Sequence, residues 1–145
     1  MIKISNCRSL RDLKGIVHQN SDLISYWISN CKSLDDISGL PKHVSSLSIN
    51  DCKALTSLRG IGRDYVTHLS KNGYISLRNI KLKSHALGLF LIQGGNWDWF
   101  NLEGFPGAEI LMKHLKNNNT NRTFKAALEC QSELLDAGLD ELAKM

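Results

Sequence analysis

The sequence predicts an α/β repeat solenoid, a short arc of repeats with a parallel β-sheet that is closed by a helical C-terminal segment. Three observations predict this class. An apolar pattern, L-x-I-x-x-C-x-x-L-x-x-L-x-x-I, covers Leu47–Ile61 and occurs twice earlier in the chain. A cysteine and a glycine keep the same places in every copy. The copies are 24 and 21 residues apart, which is a repeat period typical of solenoids.

The three copies agree closely in their residues. Around the cysteine they read ISNCRSL, ISNCKSL and INDCKAL. The cysteines are Cys7, Cys31 and Cys52, and the matching glycines are Gly15, Gly39 and Gly60. None of these spacings is that of a C-x-x-C zinc or redox motif, so we expect free thiols in the core and no metal or other cofactor.

Each copy has the chemistry of one turn of a solenoid. The alternation at its start is typical of a short strand with one inward face. The cysteine follows as a small, mostly buried side chain, and leucines at every third residue predict a tight return path. The glycine then lets the backbone turn back. One turn cannot bury its apolar side alone, so neighbouring turns must stack into a parallel sheet.

A degenerate fourth repeat is expected over residues 66–82. Counting back from Leu82 places Asn79 at the cysteine position. Ile75 and Leu77 then fall where polar residues belong. This predicts a strand of shifted register after a tight Asn-Gly turn.

The remainder of the chain is expected to close the arc. We predict repeats over residues 1–83 and a helical C-terminal cap over residues 84–145, in one folding unit. Helices are predicted from about residue 85 to 93, with a strand as the alternative, and over 108–116 and 124–144, the last with Gly138 as a candidate break, and an aromatic-rich loop is predicted at 96–104. An uncovered sheet edge promotes aggregation, which is the reason for a cap.

Composition limits the possible functions. The net charge of +4 is spread over scattered Lys and Arg residues, so a nucleic-acid surface is only weakly indicated. No apolar run approaches the roughly 20 residues of a membrane span, and no signal peptide is evident. We therefore expect a soluble, cytoplasmic protein.

Two further patterns invite a chemical role. His18, His43 and His68 recur every 25 residues, which is a spacing that would align metal ligands in a stacked column. Measured from the repeat cysteines, however, His68 is out of step, which predicts that it does not stack with the others. Cys130 is expected to be a partly buried helix residue, so a cysteine-dependent enzyme is the least favoured of three functions, and we expect no enzyme.

The outward strand residues predict a binding surface. Residues between the inward positions face outward and stack into a ladder of Lys3, Ser5, Trp27, Ser29, Ser48 and Asn50. Trp27 lies between inward Tyr26 and Ile28, so it must point outward, and exposed tryptophan is favoured at interface hot spots. The alternative is that Trp27 packs beneath a neighbouring loop or against the N-terminal edge of the sheet.

A second aromatic group lies in the C-terminal part at Trp97, Trp99 and Phe100. It either anchors the loop or forms an aromatic–basic surface with basic residues of the helices, namely Lys113, Lys116, Arg122 and Lys125. The second choice defines the alternative function, a nucleic-acid-binding accessory protein.

The repeats resemble those of leucine-rich repeat proteins. The C-x-x-L-T run at Cys52–Thr56 is similar to the cysteine-containing variety. The S-L-x-G run at Ser57–Gly60, with residues 83–94 and 129–145, resembles small repeat proteins of tailed-phage genomes. The repeat class and the outward ladder predict a non-enzymatic protein–protein interaction module. The phage resemblance implies an origin rather than an activity, and with that origin we expect an accessory protein that binds and inhibits a host protein in the host cytoplasm. An anti-defence or anti-CRISPR role belongs to this expectation, and the open first strand predicts a possible homodimer.

Overall fold

A computed structural model describes residues 1–15, 24–96, 100–118 and 123–145. Two parallel sheets are stacked turn by turn along the chain. The larger sheet contains, in spatial order, β1 (Ile2–Ser5), β2 (Ser25–Ser29), β4 (Ser46–Asn50), β6 (Ile75–Arg78) and β8 (Asn101–Glu103). The smaller sheet contains β3 (His43–Val44), β5 (His68–Leu69) and β7 (Gln93–Gly94). The arrangement is solenoid-like, as predicted.

Helical elements occupy the later part of the chain. A 3₁₀ helix covers Leu87–Leu91, before β7. Two α-helices follow β8, α1 (Ala108–Asn117) and α2 (Phe124–Asp136). The Thr123 side chain caps α2 by accepting a hydrogen bond from the backbone N–H of Ala126 at 3.2 Å. α1 packs against β8, and α2 packs against the 3₁₀ helix.

The inward face of the larger sheet is apolar because side chains alternate along each strand. Ile28, Ile49 and Leu77 stand opposite one another in register, and all three are fully buried. Leucines of the return segments, among them Leu34 and Leu55, complete the same core. Burial of each such side chain stabilises the fold by about 1.5–3 kcal/mol.

Each of the first four strands of the larger sheet is followed by a residue in the left-handed backbone region. These residues are Asn6, Asn30, Asp51 and Asn79, with φ between 51° and 57°. Asn and Asp tolerate this conformation better than other side chains with a Cβ. Each one donates its backbone N–H to the carbonyl of the last residue of the next strand, at 3.0–3.2 Å. The strands therefore end at the same level in every turn.

The fourth turn keeps the register of the others, so the predicted shift is wrong. Ile75 and Leu77 pair with the inward residues of β4 and are themselves fully buried. Ile80 occupies the cysteine position and is only 1% exposed. Asn79 is the left-handed residue before it, with an exposed side chain.

The miscount has a simple cause in the return segment. Leu55 lies three residues after Cys52, whereas Leu82 lies two residues after Ile80. Both leucines are buried in the core. Because one residue is missing between them, a count that begins at Leu82 reaches the wrong residue.

The region after residue 83 contains strands as well as helices. The helix predicted over 85–93 is the shorter 3₁₀ helix followed by β7, and the predicted loop at 96–104 contains β8. α2 ends at Asp136 rather than near residue 144, and Gly138 follows with φ 76°. The division into 1–83 and 84–145 stays a prediction, but the elements of the second range differ from those expected.

The last residues of the chain are tied back to the segment before the 3₁₀ helix. The backbone N–H groups of His85, Ala86 and Leu87 donate to carbonyls of residues 141, 142 and 144 at 3.0–3.2 Å. Between the helices, Glu133 accepts hydrogen bonds from Lys113 Nζ at 2.5 Å and from His114 Nε2 at 2.6 Å. These two hydrogen bonds lower the pKa of Glu133.

His43 and His68 are stacked, contrary to the prediction. Their ring centroids are 6.2 Å apart and the planes differ by 19°. The pairing of β3 with β5 places them opposite each other. The prediction was wrong because it measured the histidine positions from the repeat cysteines. The return segments between cysteine and histidine differ in length, whereas the pairing of β3 with β5 determines which residues stand opposite each other. His18 lies outside the described residues, and within the described ranges no three His, Cys, Asp or Glu side chains form a metal-binding group.

Candidate interaction surface

The outward residues of the five strands of the larger sheet form two aligned rows, here called the outward ladder. The first row is Lys3, Trp27, Ser48, Ser76 and Asn101. The second row is Ser5, Ser29, Asn50, Arg78 and Glu103. All six residues predicted for the binding surface lie in these rows, and the structure brings them side by side.

Trp27 is the large apolar side chain of the outward ladder. It is 41% exposed, which confirms the predicted outward direction. A tryptophan packed beneath a loop does not fit this exposure, whereas the ring does contact the N-terminal edge strand through Lys3. Lys3 Nζ lies 4.7 Å from the centroid of the indole ring. Such a cation–π contact at an exposed site contributes about 0.5–1 kcal/mol and holds the ring in place.

A polar depression of about 400 Å³ borders Trp27 on the second row. Arg78 and Glu103 both line it, and Arg78 Nε donates to Glu103 Oε1 at 2.6 Å. Asn50 Nδ2 donates to Ser48 Oγ at 3.1 Å, and Asn50 Oδ1 is buried without a hydrogen-bond partner in the described part of the chain. The depression therefore offers charges of both signs beside an apolar ring.

Arg78 and Glu103 were missed by the sequence reasoning. The shifted register assigned to the fourth turn hid the outward position of Arg78. Residues 96–104 were predicted to form a loop, so no outward position was assigned to Glu103. The strand that contains it, β8, has only three residues. Correct alignment of Leu77 with Ile49 would have revealed Arg78.

Two columns continue the surface beyond the strand ends. The left-handed residues Asn6, Asn30, Asp51 and Asn79 form the amide column, in which Asn30 Nδ2 donates to Asn6 Oδ1 at 2.7 Å and Asn79 Nδ2 to Asp51 Oδ1 at 2.5 Å. Two residues later in each turn is an exposed basic residue. These are Arg8, Lys32, Lys53 and Lys81, here called the basic column. Its signal was visible as the Arg or Lys after each repeat cysteine.

The predicted aromatic–basic group is not assembled within the described residues. Phe100 is buried, with 4% of its surface exposed, so its ring cannot stack on a base. Lys113 is paired with Glu133. Trp97, Trp99 and Arg122 lie outside the described residues.

The buried cysteines belong to the scaffold. Cys31, Cys52 and Cys130 have no exposed surface. The thiols of Cys31 and Cys52 donate to the carbonyls of Ser29 and Asn50, at 3.5 and 3.4 Å. Burial raises the pKa of Cys52 to about 11 and that of Cys130 to about 12. Thiols with such pKa values are poor nucleophiles at neutral pH because the thiolate is the reactive form.

We expect one fast-reacting thiol in the native protein at pH 8. Cys7 is only half-buried, whereas the other three thiols have no access to reagent. Ellman's reagent should show one fast thiol per chain and four in denaturant, and Cys7→Ser should remove the fast phase. Two or more fast thiols in the native protein would contradict the burial of the repeat core.

In the ranges that the structure covers, no helix is both long and apolar enough to cross a membrane. Comparison with protein-family models found no match, and comparisons with curated proteins and with solved structures likewise found none.

Proposed function

We propose that the chain is a non-enzymatic protein-binding module of the leucine-rich repeat type, and that the outward ladder is its partner-binding surface. The observation that carries the proposal is the exposed indole of Trp27, held by Lys3 in a register that leaves both rows open. Exposed tryptophan is costly in water, and it is enriched where a partner covers it. The helices after β8 act as the C-terminal cap.

The residues around Trp27 suit a protein interface. Interface hot spots consist of an aromatic anchor surrounded by polar groups that exclude water once the partner is bound. Ser29 and Ser48 are small enough to leave the ring accessible. Arg78 and Glu103 add a half-exposed salt bridge beside it.

The resemblance to small repeat proteins of tailed phages extends the proposal. In that setting the partner is a host protein, and the module inhibits it by covering its surface in the host cytoplasm. A host defence protein, such as a component of a CRISPR nuclease complex, is the partner class this resemblance suggests. Fold alone does not specify a partner, so the experiment must identify it.

We expect Trp27→Ala to weaken partner binding at least about tenfold, since loss of a hot-spot tryptophan costs about 2 kcal/mol or more. Affinity purification with mass spectrometry identifies the partner, and calorimetry then compares the dissociation constants of wild type and variant. Phe124→Ala is the matched control because Phe124 is an aromatic residue that is 59% exposed and lies on α2, outside the outward ladder. A partner that binds Trp27→Ala and wild type equally well would remove the outward ladder from the interface.

A further inference from the structure

Neither packing nor charge pairing within the described residues accounts for a cation at each position of the basic column. Its four cations lie in successive turns, at the same distance after the left-handed residue that ends each strand. Neighbouring parallel strands are about 4.8 Å apart, and like charges placed opposite each other on neighbouring strands destabilise a sheet. An exposed position tolerates neutral or acidic side chains equally well, so packing does not require a cation there.

No member of the basic column forms an ion pair within the described residues. The ion pairs that the structure shows involve Arg11, Arg78, Lys113, His114 and Lys144. The carboxylate of Asp51 lines the same depression as Lys32 and Lys53, and it accepts a hydrogen bond from the neutral amide of Asn79. Four cations beside this one carboxylate leave an excess of positive charge that an external anion can pair with.

The groups beside the basic column match an extended peptide. Lys32 and Lys53 border a depression of about 390 Å³ together with Asn30, Asp51 and Asn79. Amide side chains both donate and accept hydrogen bonds, as peptide groups do, and the Asp51 carboxylate accepts from backbone N–H groups. In an extended peptide, carboxylates at every second residue lie on one side, about 6.6–6.8 Å apart. Flexible lysine side chains can reach that spacing.

A nucleic-acid strand fits this surface less well. Proteins that bind single strands combine a positive groove with aromatic side chains on which bases stack. The depression beside Lys32 and Lys53 has no aromatic side chain among its described lining residues. The neighbouring depression that contains Trp27 also contains the carboxylate of Glu103, which repels phosphates.

We propose that the basic column docks an extended segment of the protein partner rich in glutamate or aspartate. Its carboxylates pair with the cations of Arg8, Lys32, Lys53 and Lys81, and its peptide groups hydrogen-bond to the amide column. The inference rests on the proposed function in one respect, that the partner is a protein. It adds the chemical character of the partner and a second contact surface next to the outward ladder.

The test uses a fluorescent peptide of alternating glutamate and serine, about twelve residues long, with a glutamine–serine peptide as the neutral comparison. Fluorescence anisotropy at about 50 mM salt should show binding of the acidic peptide only, and binding should weaken as salt increases because exposed charges are screened. Lys32→Glu, Lys53→Glu and Lys81→Glu together should weaken it at least about tenfold. Should that variant fail to fold, the same three lysines changed to glutamine provide the result.

The control variant carries Lys42→Glu, Lys71→Glu and Lys125→Glu. These lysines are exposed and lie outside the basic column, so the control has the same net charge. It should bind the acidic peptide like the wild type. Equal loss in both triple variants, or absence of peptide binding, would overturn the inference. Tighter binding of a thymidine oligonucleotide through the same lysines would also overturn it, in favour of nucleic acid.

This test can fail independently of the proposed function. Trp27 does not line the depression between Lys32 and Lys53, so Trp27→Ala should bind the acidic peptide normally. If the peptide does not bind but the identified partner still needs Trp27, only the basic column is excluded. If the peptide binds but the partner does not need Trp27, the outward ladder is excluded and the basic column stands.

Discussion

Gly39→Ala is expected to destabilise the protein by about 3–5 kcal/mol. Gly39 has φ of +99°, which side chains rarely adopt. A Cβ there would also lie 2.6 Å from the carbonyl carbon and oxygen of Leu13 and 2.8 Å from the backbone nitrogen of Lys14. These are main-chain atoms of the preceding turn, so they cannot move aside as a flexible side chain can. Urea denaturation followed by circular dichroism measures the change.

Gly15→Ala is the matched control because Gly15 occupies the same place in the first repeat. Its φ is +83°, but a Cβ would meet nothing within 4 Å. Only the backbone strain of about 1–2 kcal/mol remains, partly offset by the reduced freedom of the unfolded chain. A loss of stability equal to that of Gly39→Ala would mean that the turns do not stack as closely as described.

Ile80→Asp is expected to cost about 4 kcal/mol or more and to unfold much of the protein at room temperature. Ile80 is 1% exposed and occupies the cysteine position of the fourth turn. A carboxylate there would be buried without a cation beside it, which is among the costliest changes in a protein core. Thermal unfolding by differential scanning calorimetry provides the measurement.

Two milder variants test whether the effect of Ile80→Asp comes from the inward position of Ile80 or from a general intolerance of this turn to substitution. Ile80→Val removes one methylene and should cost about 1 kcal/mol. Asn79→Gly should also stay within about 1 kcal/mol, because φ of 52° suits glycine and only one exposed hydrogen bond is lost. A tolerated Ile80→Asp with a costly Asn79→Gly would restore the shifted register that the structure contradicts.

The repeats were readable from the sequence because the side-chain period of a strand is two. That period placed Trp27 outward and Ile28 inward without knowledge of the neighbouring turns. The stacking of turns followed from the inability of one turn to bury its apolar face. For the same reason the predicted ladder residues appear in the correct rows.

The errors arose where loops or tertiary neighbours decide the outcome. The return segment of the fourth turn has one residue fewer after Ile80 than the third turn has after Cys52. Alignment of the repeats from Leu82 therefore shifted the predicted strand by one residue. β8 is three residues long, and its conformation depends on pairing with β6 rather than on its own pattern. The basic column needs the left-handed residue before it, because that residue determines where the chain leaves the sheet.

The backbone hydrogen bonds between residues 85–87 and residues 141–144 bear on the order of folding. Neighbouring strands of the larger sheet are separated by 21 to 28 residues along the chain. The C-terminal hydrogen bonds join groups 56 or 57 residues apart. Because the entropy lost on closing a loop increases with its length, turns assemble from near neighbours first. We therefore expect the hydrogen bonds of residues 141, 142 and 144 to form after the sheet is in place.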